Sequence, residues 1–153
     1  MPDHRNDLLF LLHDVARLLR TDADKRARAH GMTRAQWVIL VWLERHPGMS
    51  QKELAEILEV EPITVARLID RLEARRMVER RPDPHDRRIW RLHLRPEASP
   101  VLEEIARQRV TMLEMVGADL DPALREAMTE GLRRMKVALC AERHAEAPER
   151  EVA

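Results

Sequence analysis

Apolar residues recur every three or four positions over the first part of the chain. From residue 5 to residue 30 this spacing predicts one long amphipathic helix, which Gly31 ends. Thr33 then stands before a new apolar run, and Gln36 three residues later completes a capping box. A second helix is therefore predicted to begin at this point and to reach about Arg45.

The same capping pattern returns a few residues later, with Ser50 as the cap and Glu53 completing the box. This helix is short and ends near Leu58. Pro62, a residue suited to the first position of a helix, opens the next one. Two short helices joined by a turn of three or four residues indicate a helix-turn-helix.

The second helix of this motif has a distinct polar face opposite its apolar stripe. Two guanidinium groups, a hydroxyl and an aliphatic side chain share this face: Ile63, Thr64, Arg67 and Arg71. Arginine pairs bidentately with guanine edges, and threonine contacts a phosphate or a thymine methyl group. We therefore predict that this face contacts DNA in the major groove, the alternative being an ordinary solvated helix face. Ser50 and Gln51, at the start of the preceding helix, are predicted to donate to phosphate.

Two strand-like segments follow, over residues 77–82 and 88–94, with a rigid proline-containing turn between them. The apolar face of the second segment consists of Trp90, Leu92 and Leu94. This alternation predicts a half-buried strand anchored by Trp90. A hairpin directly after a helix-turn-helix is the wing of a winged helix, and its tip arginines, Arg87 and Arg88, are predicted to enter the minor groove. The alternative is a surface hairpin whose aspartates pair with its arginines.

The 153 residues include 27 basic and 27 acidic ones, so the formal net charge is zero, but the charges are unevenly distributed. Residues 61–95 contain ten arginines against six acidic residues, whereas residues 96–153 contain eight basic against twelve acidic residues. A locally basic segment is typical of a protein that binds a polyanion such as double-stranded DNA. A solvated arginine-rich surface is the alternative.

The chain after residue 100 returns to helical spacing and predicts two long helices. With the first helix they present more apolar surface than a small winged helix can cover, so we predict a dimer core shared by two chains. Packing within one chain is the alternative. The predicted fold is mainly α with a small β-hairpin: residues 1–30 and 100–145 form a helical dimerisation region, residues 31–99 a winged helix-turn-helix lobe, and residues 146–153 a disordered tail.

Several classes of protein are disfavoured by the composition and motifs. Cys140 is the only cysteine, so neither an intrachain disulfide nor a cysteine-rich zinc site is predicted, and we expect this thiol to be inert. The seven histidines include no pair with helical zinc spacing, and no motif indicates an enzyme or a cofactor. No apolar run reaches membrane-spanning length and no signal peptide is recognisable, so a cytoplasmic location without membrane association is expected.

The stretch Asp83–Leu94 resembles the wing of the MarR family of bacterial transcription regulators. Asp86 and Arg88 fall on the family's Asp-x-Arg signature, in which the aspartate typically holds the wing arginines while these contact the minor groove. The order of helices and strands is similar to that family over nearly the whole chain, and it resembles the SlyA branch in particular. Arg76 and Arg87 stand where many members have glycine. The geometry of the exit from the recognition helix is therefore not predicted at Arg76, and Arg87 adds charge at the wing tip.

The resemblance implies a homodimeric regulator, acting as a repressor, that binds a near-palindromic operator. In the SlyA branch a DNA-contacting arginine stands at the position of Arg67, and two arginines that help to bind salicylate-type ligands stand at Arg17 and Arg20. With Trp37 as an aromatic wall, these two arginines predict a site for a small aromatic acid or an aromatic thioester. Ion pairs of Arg17 and Arg20, with Trp37 in the core, explain the residues equally well. Further alternatives are an activator or anti-silencer without a dedicated ligand, and a helical protein-interaction module.

Overall fold

The computed structural model describes the backbone of residues 7–146 and the side chains of residues 7–142. Six α-helices and three short strands follow one another along this part of the chain. They are α1 (Leu8–Ala29), α2 (Arg34–Arg45), β1 (Met49–Ser50), α3 (Gln51–Leu58), α4 (Pro62–Ala74), β2 (Val78–Pro82), β3 (Trp90–Leu94), α5 (Ser99–Val116) and α6 (Pro122–Glu146), with a 3₁₀ turn at Pro96–Ala98. The predicted mainly α fold is confirmed. The predicted disordered tail lies outside the described residues, except for its first residue.

Short-range hydrogen bonds determine where the helices begin. The Thr33 hydroxyl accepts from the Gln36 backbone N–H at 3.2 Å, and the Gln36 side chain accepts from the Thr33 N–H at 2.9 Å. Ser50 and Glu53 form the same reciprocal pair at the start of α3. Both predicted capping boxes are confirmed. Each gives a partner to two backbone N–H donors at the start of a helix, where the helix itself provides none. Pro62 occupies the first position of α4, also as predicted.

The three strands form one antiparallel sheet in the order β1-β3-β2. The predicted hairpin is present, from Val78 paired with Leu94 to Pro82 opposite Trp90. Strand β1 is absent from the sequence prediction, because it is two residues long and only its pairing with β3 defines it. Since α3 begins at the residue after β1, this pairing fixes the start of α3 directly beside the wing.

The hydrophobic core of the first part of the chain lies between α2, α3, α4 and the sheet. Its largest fully buried side chains are Ile39, Leu40, Leu43, Leu54, Val65, Ile69, Leu72, Val78 and Leu92. Burying one such leucine or isoleucine stabilises the fold by about 1.5–3 kcal/mol. The apolar stripe predicted for α4 therefore faces the core, which turns the opposite face of α4 toward solvent.

Trp90 does not anchor the wing in the core, so this part of the prediction is wrong. Trp90 is 46 % exposed, whereas Leu92, the next residue on the same face of β3, is fully buried. Alternation along the strand correctly indicates which residues share a face, but the core ends between these two residues. The base of the wing, by which we mean strands β2 and β3 as distinct from the tip at residues 83–89, consequently presents an exposed indole at the outer end of β3.

The exit from α4 keeps the left-handed turn that a glycine would make. Arg76 has a φ of 58°. Its N–H bonds to the Glu73 carbonyl at 2.8 Å, and the Met77 N–H bonds to the Leu72 carbonyl at 2.9 Å. These two bonds are those of a Schellman motif. Arginine therefore preserves the geometry at this position, at a conformational cost of about 1–2 kcal/mol for a residue with a Cβ atom.

The chain divides into two compact units, the first ending at Gln108 and the second beginning at Arg109. In the first unit, Ala27 is the buried residue of α1, while seven large apolar residues of that helix are exposed: Leu8, Leu9, Phe10, Leu11, Val15, Leu18 and Leu19. In the second unit the exposed large apolar residues are Val110, Leu113, Met115, Val116, Leu124, Met128, Leu132, Val137 and Leu139. No helix in the described part of the chain is both long enough and apolar enough to span a membrane.

Candidate nucleic-acid interface

The outer face of α4 is a solvent-exposed surface with two uncompensated positive charges. All four predicted contact residues are exposed on this face: Ile63, Thr64, Arg67 and Arg71. Within residues 7–142 neither Arg67 nor Arg71 forms an ion pair, so both guanidinium groups remain available to a phosphate or a base edge. The 61 % exposed Ile63 beside them adds an apolar group of the kind that contacts thymine methyl groups.

Arg80 of β2 points inward and joins the wing to α4 and α3. Its guanidinium donates to Asp70 Oδ1 at 2.7 Å, to the Glu73 carboxylate, and through Nε to Gln51 Oε1 at 2.9 Å. The Ala66 carbonyl accepts a fourth bond at 3.3 Å. The Arg80 side chain is only 20 % exposed, and two carboxylates of α4 neutralise its charge. Arg80 therefore positions α4 relative to the wing.

Asp83 organises the turn at the tip of the hairpin. Its buried carboxylate accepts from the backbone N–H groups of His85 and Asp86, at 2.7 and 3.0 Å, and from Arg91 Nε at 2.6 Å. The Arg91 bond, followed by the two backbone bonds, lowers the pKa of Asp83 from its ordinary 3.8 to about 2. Arg91 also lies 3.5 Å from the Glu53 carboxylate at the start of α3. The turn is thus held to α3 by charge pairs within the protein.

The remaining wing arginines lie on the outside of the hairpin. Asp86 accepts from the Arg88 guanidinium at 3.1 Å and from the Arg88 backbone N–H at 2.9 Å, which lowers the pKa of Asp86. Arg88 nevertheless remains 90 % exposed. Arg81 pairs with Glu79, whereas Arg87 forms no ion pair with any of the side chains that the structure describes. The predicted minor-groove residues Arg87 and Arg88 therefore both face solvent.

The start of α3 borders a small cleft at the base of the wing. The Ser50 hydroxyl is engaged in its capping box, and Gln51 Oε1 accepts from Arg80. Because the oxygen end of the Gln51 amide faces Arg80, its NH₂ end is the one left to donate elsewhere. The cleft has a volume of about 200 Å³ and is lined by Ser50, Gln51, Lys52, Arg88, Ile89 and Trp90. The two predicted phosphate contacts thus lie beside the wing.

A sequence profile of the MarR family matches residues 30–89, from just before α2 to the wing. The HTH-type transcriptional regulator YwoH of Bacillus subtilis (strain 168) is 32 % identical over 126 residues, which make up 82 % of this chain and 91 % of YwoH. This chain belongs to the MarR family. A second relative, the HTH-type transcriptional repressor MdtR of the same organism, is 28 % identical over 108 residues, or 71 % of this chain and 70 % of MdtR.

Solved structures of MarR-type regulators share the fold. The crystal structure of MarR matches with a TM-score of 0.83 at 26 % identity, covering 95 % of this chain and 99 % of that one. The transcriptional regulator SlyA matches with a TM-score of 0.76 at 25 % identity, covering 90 % and 96 %. A Staphylococcus aureus MepR mutant bound to an oligodeoxyribonucleotide matches with a TM-score of 0.58 at 23 % identity, covering 85 % of this chain and 96 % of that one. This is a likeness of fold alone. The predicted resemblance is confirmed: the protein is a DNA-binding MarR-family transcriptional regulator, not an enzyme.

The residues predicted to bind a ligand in this MarR-family protein differ in their surroundings. Arg17 Nε donates to Asp14 at 3.0 Å and its side chain is 60 % exposed, and Arg20 is exposed. Trp37 is buried, with the His30 ring centred 5.8 Å from its own. The Trp37 Nε1 atom is buried without a hydrogen-bond partner in the described part of the chain. No hydrogen bond, ion pair or ring contact among the described side chains joins either arginine to Trp37.

Three residues that build this MarR-family wing are missing from the sequence prediction: Arg80, Asp83 and Arg91. For Asp83 a local signal exists, because an aspartate between two prolines suits a turn in which its carboxylate accepts from N–H groups two and three residues later. For the two arginines no local signal exists. Their partners on α3 stand 29 and 38 positions away in sequence.

Among the described residues, no three side chains of His, Cys, Asp or Glu lie close enough together to hold a metal ion. Cys140 is exposed on α6, and its inertness stays a prediction.

Proposed function

We propose that the protein is a homodimeric repressor that binds a near-palindromic operator. In this proposal α4 lies in the major groove, with Thr64 and Arg67 contacting bases and Ile63 and Arg71 beside them. The observation that carries the proposal is the outer face of α4. Its two arginines have no ion pair within the described residues, and its apolar stripe fixes the helix to the core from behind.

The wing supplies the contacts outside the major groove in this proposal. Arg87 and Arg88 enter the minor groove, and the bonds from Arg88 to Asp86 hold that guanidinium at the tip. Ser50 and Gln51 contact phosphate at the start of α3. Such a division agrees with protein–DNA interfaces in general, in which phosphate contacts fix the position and base contacts select the sequence.

A second copy of the chain is the proposed cover for the exposed apolar side chains. We assign residues 1–30 and 100–145 to dimerisation and residues 31–99 to DNA binding. The exposed leucines of α1 and, separately, the exposed apolar residues of the second unit support this assignment, since many large apolar side chains exposed to water are typical of an interface. Two recognition helices related by a twofold axis require two half-sites about one helical turn apart.

Repression and a cytoplasmic location belong to the same proposal. The relative MdtR is a transcriptional repressor by name, and a dimer that occupies a promoter excludes the polymerase from it. A regulator must also reach the chromosome, from which we infer the cytoplasm as its location.

An effector site at Arg17, Arg20 and Trp37 is the proposed means of release from DNA. Two cationic side chains suit the carboxylate of an aromatic acid or the phosphates of an aromatic thioester, and the orphaned Trp37 Nε1 offers a buried donor. A ligand that binds the DNA-free state more tightly lowers DNA affinity by that difference. The Asp14–Arg17 ion pair favours the second candidate, a regulator that acts without a dedicated ligand.

Selection of binding sites from a pool of random duplexes tests the proposal. We expect the full chain to enrich a near-palindromic sequence and to bind it as a dimer, with an affinity that falls steeply as salt rises. Enrichment of no sequence would refute the proposal of a sequence-specific operator. Binding by a monomer would refute the dimer. Thermal-shift screening of aromatic acids and thioesters, followed by gel shift on the selected duplex, then tests the effector.

A further inference from the structure

We propose that the cleft at the base of the wing holds one sugar-phosphate unit of the DNA backbone, with the Trp90 indole packed against the deoxyribose. The inference rests on the DNA-binding function proposed above and extends it. It assigns a role to Trp90 and Lys52, which neither the recognition helix nor the wing tip involves. The cleft is the one lined by Ser50, Gln51, Lys52, Arg88, Ile89 and Trp90.

The position of the cleft suits this occupant. One DNA strand separates the major groove from the adjacent minor groove, so a protein that enters both grooves must cross a sugar-phosphate backbone. The cleft lies between the start of α3, which precedes the recognition helix, and the outer end of β3, which leads back from the wing tip. A backbone strand that passes between the two proposed groove contacts therefore runs over Trp90.

The side chains of the cleft match the chemistry of a sugar-phosphate unit. Its charged lining residues are Lys52 and Arg88, both positive. Gln51 is oriented by its bond from Arg80, so that its NH₂ group is free to donate to a phosphate oxygen. The indole of Trp90 has an apolar face for the deoxyribose and an N–H donor at its edge. A sugar-phosphate unit would use both the apolar face and the N–H donor of this 46 % exposed tryptophan.

The carboxylates near the cleft are already engaged. Glu53 accepts from the Ser50 backbone N–H at 2.6 Å and lies beside Arg91, which together lower its pKa. Asp86 is paired with Arg88. Neither carboxylate lines the cleft, so its walls present no negative charge to an incoming phosphate.

The size of the cleft argues for a polymer rather than a free small molecule. At about 200 Å³ it is smaller than the roughly 300–1,000 Å³ of pockets that enclose small-molecule ligands. A shallow cleft of this size receives one unit of an extended chain whose other units are bound elsewhere. The recognition helix and the wing tip supply those other contacts.

Affinity measurements on the duplex selected by the unaltered chain provide the first test. Trp90→Ala is expected to weaken binding about tenfold, because the loss of a buried aromatic contact has an effect of that order. Operator and scrambled duplexes should weaken equally, since a backbone contact carries no sequence information. The slope of log affinity against log salt should stay unchanged for Trp90→Ala and fall by about one for Lys52→Gln. Trp90→Phe, which keeps an apolar ring, should restore most of the affinity.

Tryptophan fluorescence provides the second test. The chain has three tryptophans, of which Trp37 is buried and Trp42 is half-buried against the core. Trp90 therefore contributes most of the emission that acrylamide quenches. We expect the selected duplex to protect this emission in the unaltered chain and to have little effect in Trp90→Phe.

The outcomes separate this inference from the function on which it rests. If no duplex is selected, both are refuted. If the selected duplex binds but Trp90→Ala binds it as tightly and acrylamide still quenches Trp90 in the complex, the cleft is not a backbone site and the DNA-binding function stands. If Trp90→Ala changes the preferred sequence, Trp90 contacts bases and the inference is equally refuted.

Discussion

The outer face of α4 and the base of the wing are both arginine-rich, but their arginines are arranged in opposite ways. On α4, Arg67 and Arg71 face solvent and form no ion pair with a described residue. In the wing base, Arg80 and Arg91 turn inward, and each is bonded to carboxylates of neighbouring elements. The number of arginines in a segment therefore does not indicate how many of them contact DNA.

The carboxylates around each guanidinium decide between the two arrangements. Asp70 and Glu73 of α4 hold Arg80, and Asp83 holds Arg91, so these charges are neutralised before a phosphate arrives. The wing base is a structural element made of charge pairs. On the outer face of α4 such pairs are absent among the described residues, which supports the proposal that this face binds DNA.

Arg80→Ala should produce the largest effect on stability. It leaves Asp70 and Glu73 without their shared cation and removes the side-chain bonds from the wing to α4, although the Arg80 backbone N–H still donates to Glu73 at 3.0 Å. We expect the free energy of unfolding, measured by urea denaturation, to fall by about 2–3 kcal/mol. The matched control is Arg81→Ala, the neighbouring exposed arginine, which should change it by less than about 0.5 kcal/mol. Equal stability of the two variants would mean that the inward arginine does not hold the wing base.

Arg67→Ala should produce the largest effect on DNA recognition. Loss of a bidentate base contact is expected to reduce the preference for the selected operator over scrambled DNA by about 1–3 kcal/mol. Thermal stability should not change, because the side chain is exposed. Arg75→Ala, at the end of the same helix, removes an arginine bonded to the Gly31 carbonyl and should leave discrimination unaltered. Unchanged discrimination in Arg67→Ala would remove α4 from base recognition.

The pH dependence of stability should report on Asp83. Its pKa is about 2 in the folded chain, below its value in the unfolded chain, so its stabilising effect is present above pH ~4 and is lost as the pH falls through 2. Asp83→Asn removes this titration. The variant should be less stable at neutral pH and should lose less further stability between pH 4 and pH 2. In the exposed control Asp119→Asn, the acid-induced loss should match that of the unaltered chain.

Arg76→Gly should produce the smallest effect, and one of opposite sign. Glycine tolerates the φ of 58° at this helix exit, so the free energy of unfolding should rise by about 0.5–1 kcal/mol. Arg76→Ala is the control, since it keeps the strained backbone and loses the ion pair with Glu97. A gain in the alanine variant as large as in the glycine variant would place the effect in the side chain instead of the backbone.

Local features of the fold could be predicted from the sequence because their causes are local. The capping boxes at Thr33 and Ser50 and the proline at the start of α4 involve residues within one helical turn. Strand β1 could not be predicted, because two residues become a strand only by pairing with β3, about 40 positions later. The same limit applies to Trp90. Alternation along β3 shows which residues share a face with Trp90, but its exposure depends on how far the core extends along that face.

The same distinction between local and long-range causes applies to the candidate site. Exposure of Arg67 and Arg71 follows from helical periodicity once Val65, Ile69 and Leu72 occupy the core, so the sequence identifies this face. Which wing arginines turn inward depends on carboxylates and amides placed by tertiary structure. Sequence periodicity alone cannot separate Arg80 and Arg91 from the outward Arg87 and Arg88.

The salt dependence of operator binding tests the central claim most directly, namely that the arginines of the wing tip contact DNA and those of the wing strands do not. For Arg87→Ala combined with Arg88→Ala, the slope of log affinity against log salt should become shallower by about one to two, because each phosphate-neutralising contact contributes about 0.9. Arg81→Ala, whose guanidinium is paired with Glu79, should leave the slope unchanged. An unaltered slope in the double variant, with operator binding intact, would show that the wing tip does not reach DNA and would contradict the account.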